Sequence, residues 1–275
     1  PTIGRPTYIQ KTLSSILSQN YDNLEILISD NLPKIPTKKI IKNISDSRIK
    51  IVERNKRHDF SEHMNLCINE SSGFYLMILS DDDLLEPTYI SNMVKAFETN
   101  ESVYVGIGYQ KILDEYTETL DFNANREKEM KIYDGISYIK NDFYGKRNAP
   151  IYTYLSLFAR KYDILKSGLF KNYEDGSNAD NFLFYSLASK GKLVIINDLM
   201  GYRIYKKSFG LSTPFDNLYA ATTKYNSDIS KLIFSFNNLS LFEKLILNLK
   251  IKISSSFMLY GRLINVYKSI YSRKV

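Results

Sequence analysis

Three aspartates, Asp81, Asp82 and Asp83, stand side by side directly after the apolar run "FYLMILS" and just before "LLEP". Adjacent carboxylates repel one another, so the arrangement makes chemical sense around a cation. Magnesium and manganese take oxygen ligands, commonly one or two carboxylates plus the oxygens of a substrate diphosphate. An acidic loop at a strand end, followed by a helix, suits a metal-bridged nucleotide diphosphate. Read locally, the same residues serve equally well as a solvated acidic turn that caps the helix starting near Pro87.

The elements that must carry these groups can be read from periodicity. "YIQKTLSSILSQ" places Ile9, Leu13, Ile16 and Leu17 on one helical face, with Pro6 and Thr7 as a start signal. "LEILIS" and "RIKIVE" read as short strands, and "FYLMILS" as a strand buried on both faces. "SEHMNLCINES" reads as a helix opened by Ser61, and "EPTYISNMVKAFE" as one with Pro87 in its first turn. "VYVGIGYQKIL" is a further strand, "NREKEMKIYDG" a polar connection, "NADNFLFYSLASKG" an amphipathic helix closed by Gly191, and "KLVIIND" a strand. Helices alternating with continuously apolar strands predict an α/β fold around a mostly parallel sheet. Ligands of such sheets bind beyond the carboxyl ends of the strands, and Asp30 and Asp81–Asp83 both follow strand ends.

Composition narrows the class. With 44% hydrophobic and 24% charged residues the 275-residue chain has the make-up of a globular protein. Cys67 is the single cysteine, which excludes an intrachain disulfide framework and suits the cytoplasm. No apolar stretch reaches the roughly 20 residues that span a bilayer. The chain opens at Pro1 in what reads as a strand-to-helix loop, so a strand upstream of Pro1 is expected. After about Ser212 the texture turns helical, apolar on one side and basic on the other. This predicts a domain over 1–212 and a basic amphipathic extension over 213–275, with the boundary near Tyr205–Thr213.

"PTIGRPTYIQKTLSSILSQNYDNLEILISDN", followed by "RIKIVERNKRHDFSEHMNLCINESSGFYLMILSDDDLLEP", resembles a family 2 glycosyltransferase of the GT-A fold, over Pro1 to about Glu98. The resemblance implies an inverting, metal-dependent transfer of a sugar from a nucleotide diphosphate donor, a UDP-sugar, to a glycan or lipid-linked acceptor. Pro1 and Thr2 then lie near the nucleotide base and Asp30 hydrogen-bonds that base. Arg5 and Asn55 join the donor site. Asp81 contacts the ribose, and Asp82 and Asp83 hold Mn2+ or Mg2+ with the diphosphate. "GSNADNFLFYSLASKGKLVIINDLMGYRIY" resembles the family's later helix and strand, which makes Asp180 the catalytic base. A carboxylate there takes the proton of the acceptor hydroxyl as its oxygen attacks the anomeric carbon. Two departures stand out: Ala179 replaces a frequent Glu, with Glu174 and Asp175 as substitute acids, and Asp59 replaces a common Gly.

Other readings are weaker. His63 and Cys67 share a helical face, but no full zinc set accompanies them. Arg54, Arg57 and Arg203 are candidate phosphate contacts whose default is solvation. No GKS/GKT loop or GxSxG elbow occurs, and a nucleotidyltransferase would open on a Gly- and Lys/Arg-rich segment absent here. Nucleic-acid binding needs a basic stripe interleaved with exposed aromatics, whereas Lys and Arg are scattered until the tail. An inactive membrane-associated scaffold subunit is the alternative that Ala179 and the tail suggest. In the tail, Phe257, Met258, Leu259, Leu263 and Ile264 suit either the anionic inner face of the cytoplasmic membrane or packing, on the sheet or in a homodimer.

Overall fold

The structure, a computed structural model, describes residues 1–114, 130–144, 157–173, 178–205, 215–253 and 255–256. The first helix, α1 (Pro6–Leu17), starts on a proline whose fixed φ suits the first turn. Its inner face carries Leu13, which packs with Ile26, Ile28 and Ile41 in a small core. Strand β1 (Ile26–Asp30) pairs in parallel with β2 (Ile49–Glu53), and the short helix α2 (Thr37–Ile40) sits between them in sequence. On the other edge of β1, Thr2 pairs in parallel with Asp30 through Thr2 N–H to Ser29 O (2.9 Å) and Asn31 N–H to Thr2 O (2.9 Å).

After α3 (Phe60–Glu70) come the three-residue strands β3 (Tyr75–Met77) and β4 (Asp83–Leu85), then α4 (Tyr89–Thr99). The long strands β5 (Val103–Asp114) and β8 (Lys192–Tyr205) form the spine of the second sheet. Between them in sequence lie β6 (Met130–Asp134), α5 (Gly135–Phe143), β7 (Phe158–Arg160), α6 (Lys161–Lys166) and α7 (Ala179–Ala188). The sheet order is β3-β7-β5-β8-β4, with β6 also on β8. One edge of β8 is shared: residues 192–196 pair with β6 and residues 201–203 with β4.

The α/β expectation holds, and the sheet is mixed rather than mostly parallel. Only β5·β8 is parallel in the larger sheet, while β3, β4, β6 and β7 join it antiparallel. Apolar runs such as "LVII" in β8 are continuous because both faces are covered, which is equally true of an antiparallel pair under two helical layers. Val194 and Ile196 face α4, with Met93 and Phe97. Leu193 and Ile195 face α7, with Leu183 and Leu187.

Four local expectations shift. The strand read over "FYLMILS" stops at Met77, because residues 78–80 leave the sheet to form the acidic turn. Helix α3 is capped by Asp59, whose side chain accepts from Glu62 N–H at 2.8 Å; Ser61 is buried and donates to Lys171 O. Part of the polar connection, Met130–Asp134, is a strand with exposed alternate residues. Helix α7 is buried along almost its whole length, since it lies between the sheet and the C-terminal helices.

Those C-terminal helices are α8 (Phe215–Phe234) and residues 241–253. Ile229, Ile233, Phe236, Leu247 and Ile251 enter the same core as α7. The expected boundary falls on residues 206–214, and Phe257–Ile264 follow the last described residue, so both lie outside the described residues. Among the described residues no helix is long and apolar enough to cross a membrane. Leu183, fully buried where α7 meets the sheet, sets a test of this packing. Leu183→Ala is expected to cost about 2–5 kcal/mol of unfolding free energy, measured as a lowered urea midpoint at unchanged slope.

Candidate active site

The three aspartates occupy the turn that joins the end of the "FYLMILS" run to β4. Asp83 N–H closes it onto Ser80 O at 3.2 Å, and Asp83 then pairs in register with Arg203 of β8. Helix α1 grips the segment that follows. Leu85 N–H donates to Ser15 Oγ (3.1 Å), Gln19 Nε2 to Glu86 O (2.7 Å), Ile90 N–H to Gln19 Oε1 (3.1 Å), and Asn20 N–H to Pro87 O (2.9 Å). Gln19 thus satisfies Ile90 N–H, a first-turn donor of α4, and reaches Glu86 O, which also accepts from Tyr89 N–H.

The N-terminal loop reaches the turn from the other side. Thr2 Oγ1 donates to Asp81 Oδ2 and itself accepts from Gly4 N–H at 3.0 Å. Arg5 Nη1 donates to Asp82 Oδ2 and lies 3.4 Å from Asp81 Oδ1, so one guanidinium serves both carboxylates. Gly4 makes the approach possible: its φ is +81°, and an added Cβ would stand 2.4 Å from Pro33 Cβ. Solvent access separates the three acids, at 6% for Asp81, 25% for Asp82 and 2% for Asp83. Burial pushes the Asp81 carboxyl above its ordinary pKa, against the opposing pull of Thr2 and Arg5. Among the described residues no three His, Cys, Asp or Glu side chains converge as a metal-holding group. A site completed by the oxygens of a diphosphate needs only one or two.

Asp30 is buried, and both of its oxygens accept from Thr37, Oδ2 from the backbone N–H at 2.7 Å and Oδ1 from the hydroxyl. The expected base contact therefore meets a carboxylate already bonded through each oxygen, and Thr37 is a site neighbour that sequence reading missed. Asn55 is exposed and follows Arg54, whose N–H donates to Asp30 O at 3.0 Å. Pro1 is half-buried on the rim of a cavity of about 560 Å3 whose walls include Leu13, Ile26, Ile28, Leu76, Ile78 and Phe158.

Beneath Asp30 runs a buried polar chain. Arg54 binds Glu70 through two nitrogens, each at 2.6 Å, and its Nε donates to Ser29 Oγ at 3.0 Å. The Ser29 hydroxyl also shares a hydrogen bond with His63 Nε2, 2.8 Å away, so Ser29 links the arginine to the imidazole. Burial first, then nearby positive charge such as that of Arg54, lowers the His63 pKa to about 4.

Asp180 stands half-buried in the first turn of α7 and accepts from Asn181 N–H at 2.9 Å. The helix cap is Asn178, in left-handed conformation (φ 61°). Thr2, Arg5, Asp81 and Asp82 are therefore drawn together by direct contacts, with Asp30 joined to Thr2 through the backbone. Asp83 sits in β4, Asn55 in the loop after β2 and Asp180 on α7. Glu174 and Asp175 lie outside the described residues, and the side chain of Arg203 likewise.

The acidic turn, clasped by a cation and a hydroxyl, lies at a strand end of an α/β fold, the edge at which such folds bind ligands. The chain belongs to glycosyl transferase family 2, whose description matches residues 1–163. It is 36% identical over 93 residues to Escherichia coli UDP-Glc:alpha-D-GlcNAc-diphosphoundecaprenol beta-1,3-glucosyltransferase WfaP, covering 34% of this chain and 37% of that protein. It is 32% identical over 108 residues to the Campylobacter jejuni GalNAc(5)-diNAcBac-PP-undecaprenol beta-1,3-glucosyltransferase, covering 38% and 35%. The match thus spans about a third of the length of these curated relatives. Among solved structures, S. aureus TarS 1–349 superposes with a TM-score of 0.66 at 13% identity, over 91% of this chain and 68% of that one. The GT-A-type fold expected from sequence is borne out.

The buried histidine yields a pH prediction. Its folded pKa lies below the ordinary 6.5, so between about 6.5 and 4 the unfolded chain binds the extra proton. The His63 contribution to stability is complete above pH 6.5 and is lost as pH falls toward 4. His63→Gln, which can still hydrogen-bond Ser29 but does not titrate, is expected to flatten that acid limb in urea midpoints recorded across pH 4–7.

Proposed function

We propose that this protein transfers a sugar from a nucleotide diphosphate donor, a UDP-sugar, to a lipid-linked glycan by inverting displacement on the cytoplasmic side of a membrane. The observation that carries the reading is the Thr2–Asp81 and Arg5–Asp82 clasp on the acidic turn of a family 2 chain. The donor is supported by the E. coli relative, whose name specifies UDP-Glc, and by the solved complex of S. aureus TarS with UDP-GlcNAc. The acceptor is supported by the names of the E. coli and C. jejuni relatives, which both specify undecaprenol-linked substrates.

Each residue then has a task. Asp81, held by Thr2, receives the ribose hydroxyls. Asp30, steadied by Thr37, orients the base. Asp82, with Asp83, holds Mn2+ or Mg2+. Asp82 is the better placed of the two because it is the most solvent-accessible of the three acids and already draws a cation, the Arg5 guanidinium. When bound, such a metal supplies positive charge to the departing diphosphate. Arg5, displaced from Asp82, would add a second positive charge to the same diphosphate. Asp180, half-buried in the first turn of α7, accepts the proton of the attacking hydroxyl.

Thermal melting with UDP, GDP, CDP and dTDP, with and without Mn2+, tests the donor site. A ligand at 100 times its Kd stabilises the folded state by about 2.7 kcal/mol. UDP with Mn2+ is expected to raise Tm and Asp82→Ala to abolish the shift. No shift with any nucleotide would sink the donor assignment. Asp180→Asn is expected to keep the UDP shift while lowering transfer by about 10²–10⁴-fold; full transfer by that variant would remove Asp180 from the mechanism.

A further inference from the structure

The chain has 37 Lys and Arg against 30 Asp and Glu, a net charge of +7. Seven of the basic residues and no acidic one lie in residues 244–275, so the preceding 243 residues balance to zero. The whole excess charge of the protein is concentrated in its last 32 residues.

That segment begins inside the helix over residues 241–253, which has two apolar faces. One carries Leu247 and Ile251, buried in the core shared with α7. The other carries Leu241, Leu245, Leu249 and Ile253 at four-residue spacing with Phe242 beside them, each between 47% and 71% exposed. Four-residue spacing keeps these side chains on one side of the helix. The helix is held rigidly to the body. Ser240 and Glu243 form a reciprocal cap, with Ser240 N–H to Glu243 Oε2 at 2.9 Å and Glu243 N–H to Ser240 Oγ at 3.2 Å. Glu243 also accepts from Lys140 Nζ of α5 at 2.6 Å, and Lys250 Nζ lies 4.4 Å from the Tyr144 ring centroid. The last acidic side chain before the basic segment is therefore paired with Lys140 and the Ser240 cap, and Lys252 stands exposed on the apolar side.

We propose that this face is a membrane-docking surface: the Leu241–Ile253 stripe enters the interfacial region of an anionic bilayer, and the exposed Lys252 beside it, together with the net positive charge that the sequence carries over residues 244–275, attracts the headgroups. An apolar stripe combined with segregated positive charge meets both requirements of interfacial binding. Nucleic acid would use the charge and leave the stripe in water. The proposal rests on the transferase reading only in that a lipid-linked acceptor brings the enzyme to a membrane.

Flotation of the full chain with vesicles tests it. Binding is expected to vesicles of phosphatidylglycerol and phosphatidylcholine, at least about tenfold weaker to phosphatidylcholine alone, and weakened by high salt. Leu245→Glu/Leu249→Glu changes two exposed residues and is expected to weaken anionic-vesicle binding at least about tenfold with an unchanged melting temperature. Ile35→Glu, at an exposed apolar site between β1 and α2, is expected to keep it. Wild-type protein that does not float with anionic vesicles would overturn the proposal. So would a double variant that floats as wild type, which would leave charge alone at work, or one that instead dissociates a dimer in vesicle-free sedimentation. Loss of melting temperature in the double variant would overturn it too, by showing that another part of the chain covers the stripe. Transfer to a water-soluble acceptor, measured in parallel without vesicles, reads the catalytic proposal separately.

Discussion

Three carboxylates on consecutive residues cannot be held at a strand end unless something opposes their repulsion, and in this fold Arg5 does so. Its guanidinium spans Asp81 and Asp82 while Thr2 hydrogen-bonds Asp81 from the buried side. Both come from the first five residues, so the N-terminal loop and the acidic turn, some 77 to 79 residues apart in sequence, define one another. Adjacent negative charge in a partly desolvated turn is unfavourable by several routes. The raised pKa of Asp81 shows that Arg5 and Thr2 offset its burial only in part. Such a turn is poised to accept more positive charge, and the proposed metal site rests on that property.

The surrounding structure keeps the two partners in place. Ser15 of α1 and Gln19 just beyond it reach the backbone at the end of β4 and the start of α4, and Leu13 fastens the helix to the small β1–β2 core. Thr2 is fixed to β1 by backbone pairing, and Gly4 lets the loop pass Pro33 on its way to Arg5. The larger sheet, with apolar cores on both faces, gives β4 a rigid partner in β8. Side chains whose geometry must be precise thus hang from elements whose cores are independent of the site.

Much of this was legible in the sequence, for physical reasons that differ by element. Helix α1 and the strands β1, β2, β5 and β8 follow from apolar period and bounding turn residues, because their burial is set by local pattern. Strand direction is not local. β4 and β7 join antiparallel because of where their connections run, which three-residue strands do not advertise. The burial of α7 also escaped: Ser186, which reads as part of a polar face, is buried in the fold. The cap at Asp59 was available in the spacing Asp59 to Glu62. In the site, the aspartates themselves were plain from their clustering. Thr37 as partner of Asp30, and the Ser29–His63–Arg54 chain, depend on contacts between elements that no spacing encodes.

Two surfaces of opposite character emerge: a negative turn clasped by one arginine, and a helix that turns leucines outward where the excess positive charge begins. The first is the centre of the account. The most direct test is anomalous scattering from Mn2+ in crystals grown with UDP. The account predicts a manganese peak within bonding distance, about 2.2 Å, of a carboxylate oxygen of Asp82, with the Arg5 guanidinium moved off that carboxylate. UDP bound with no metal at the acidic turn, or Arg5 still paired to Asp82 while manganese binds elsewhere, would contradict it.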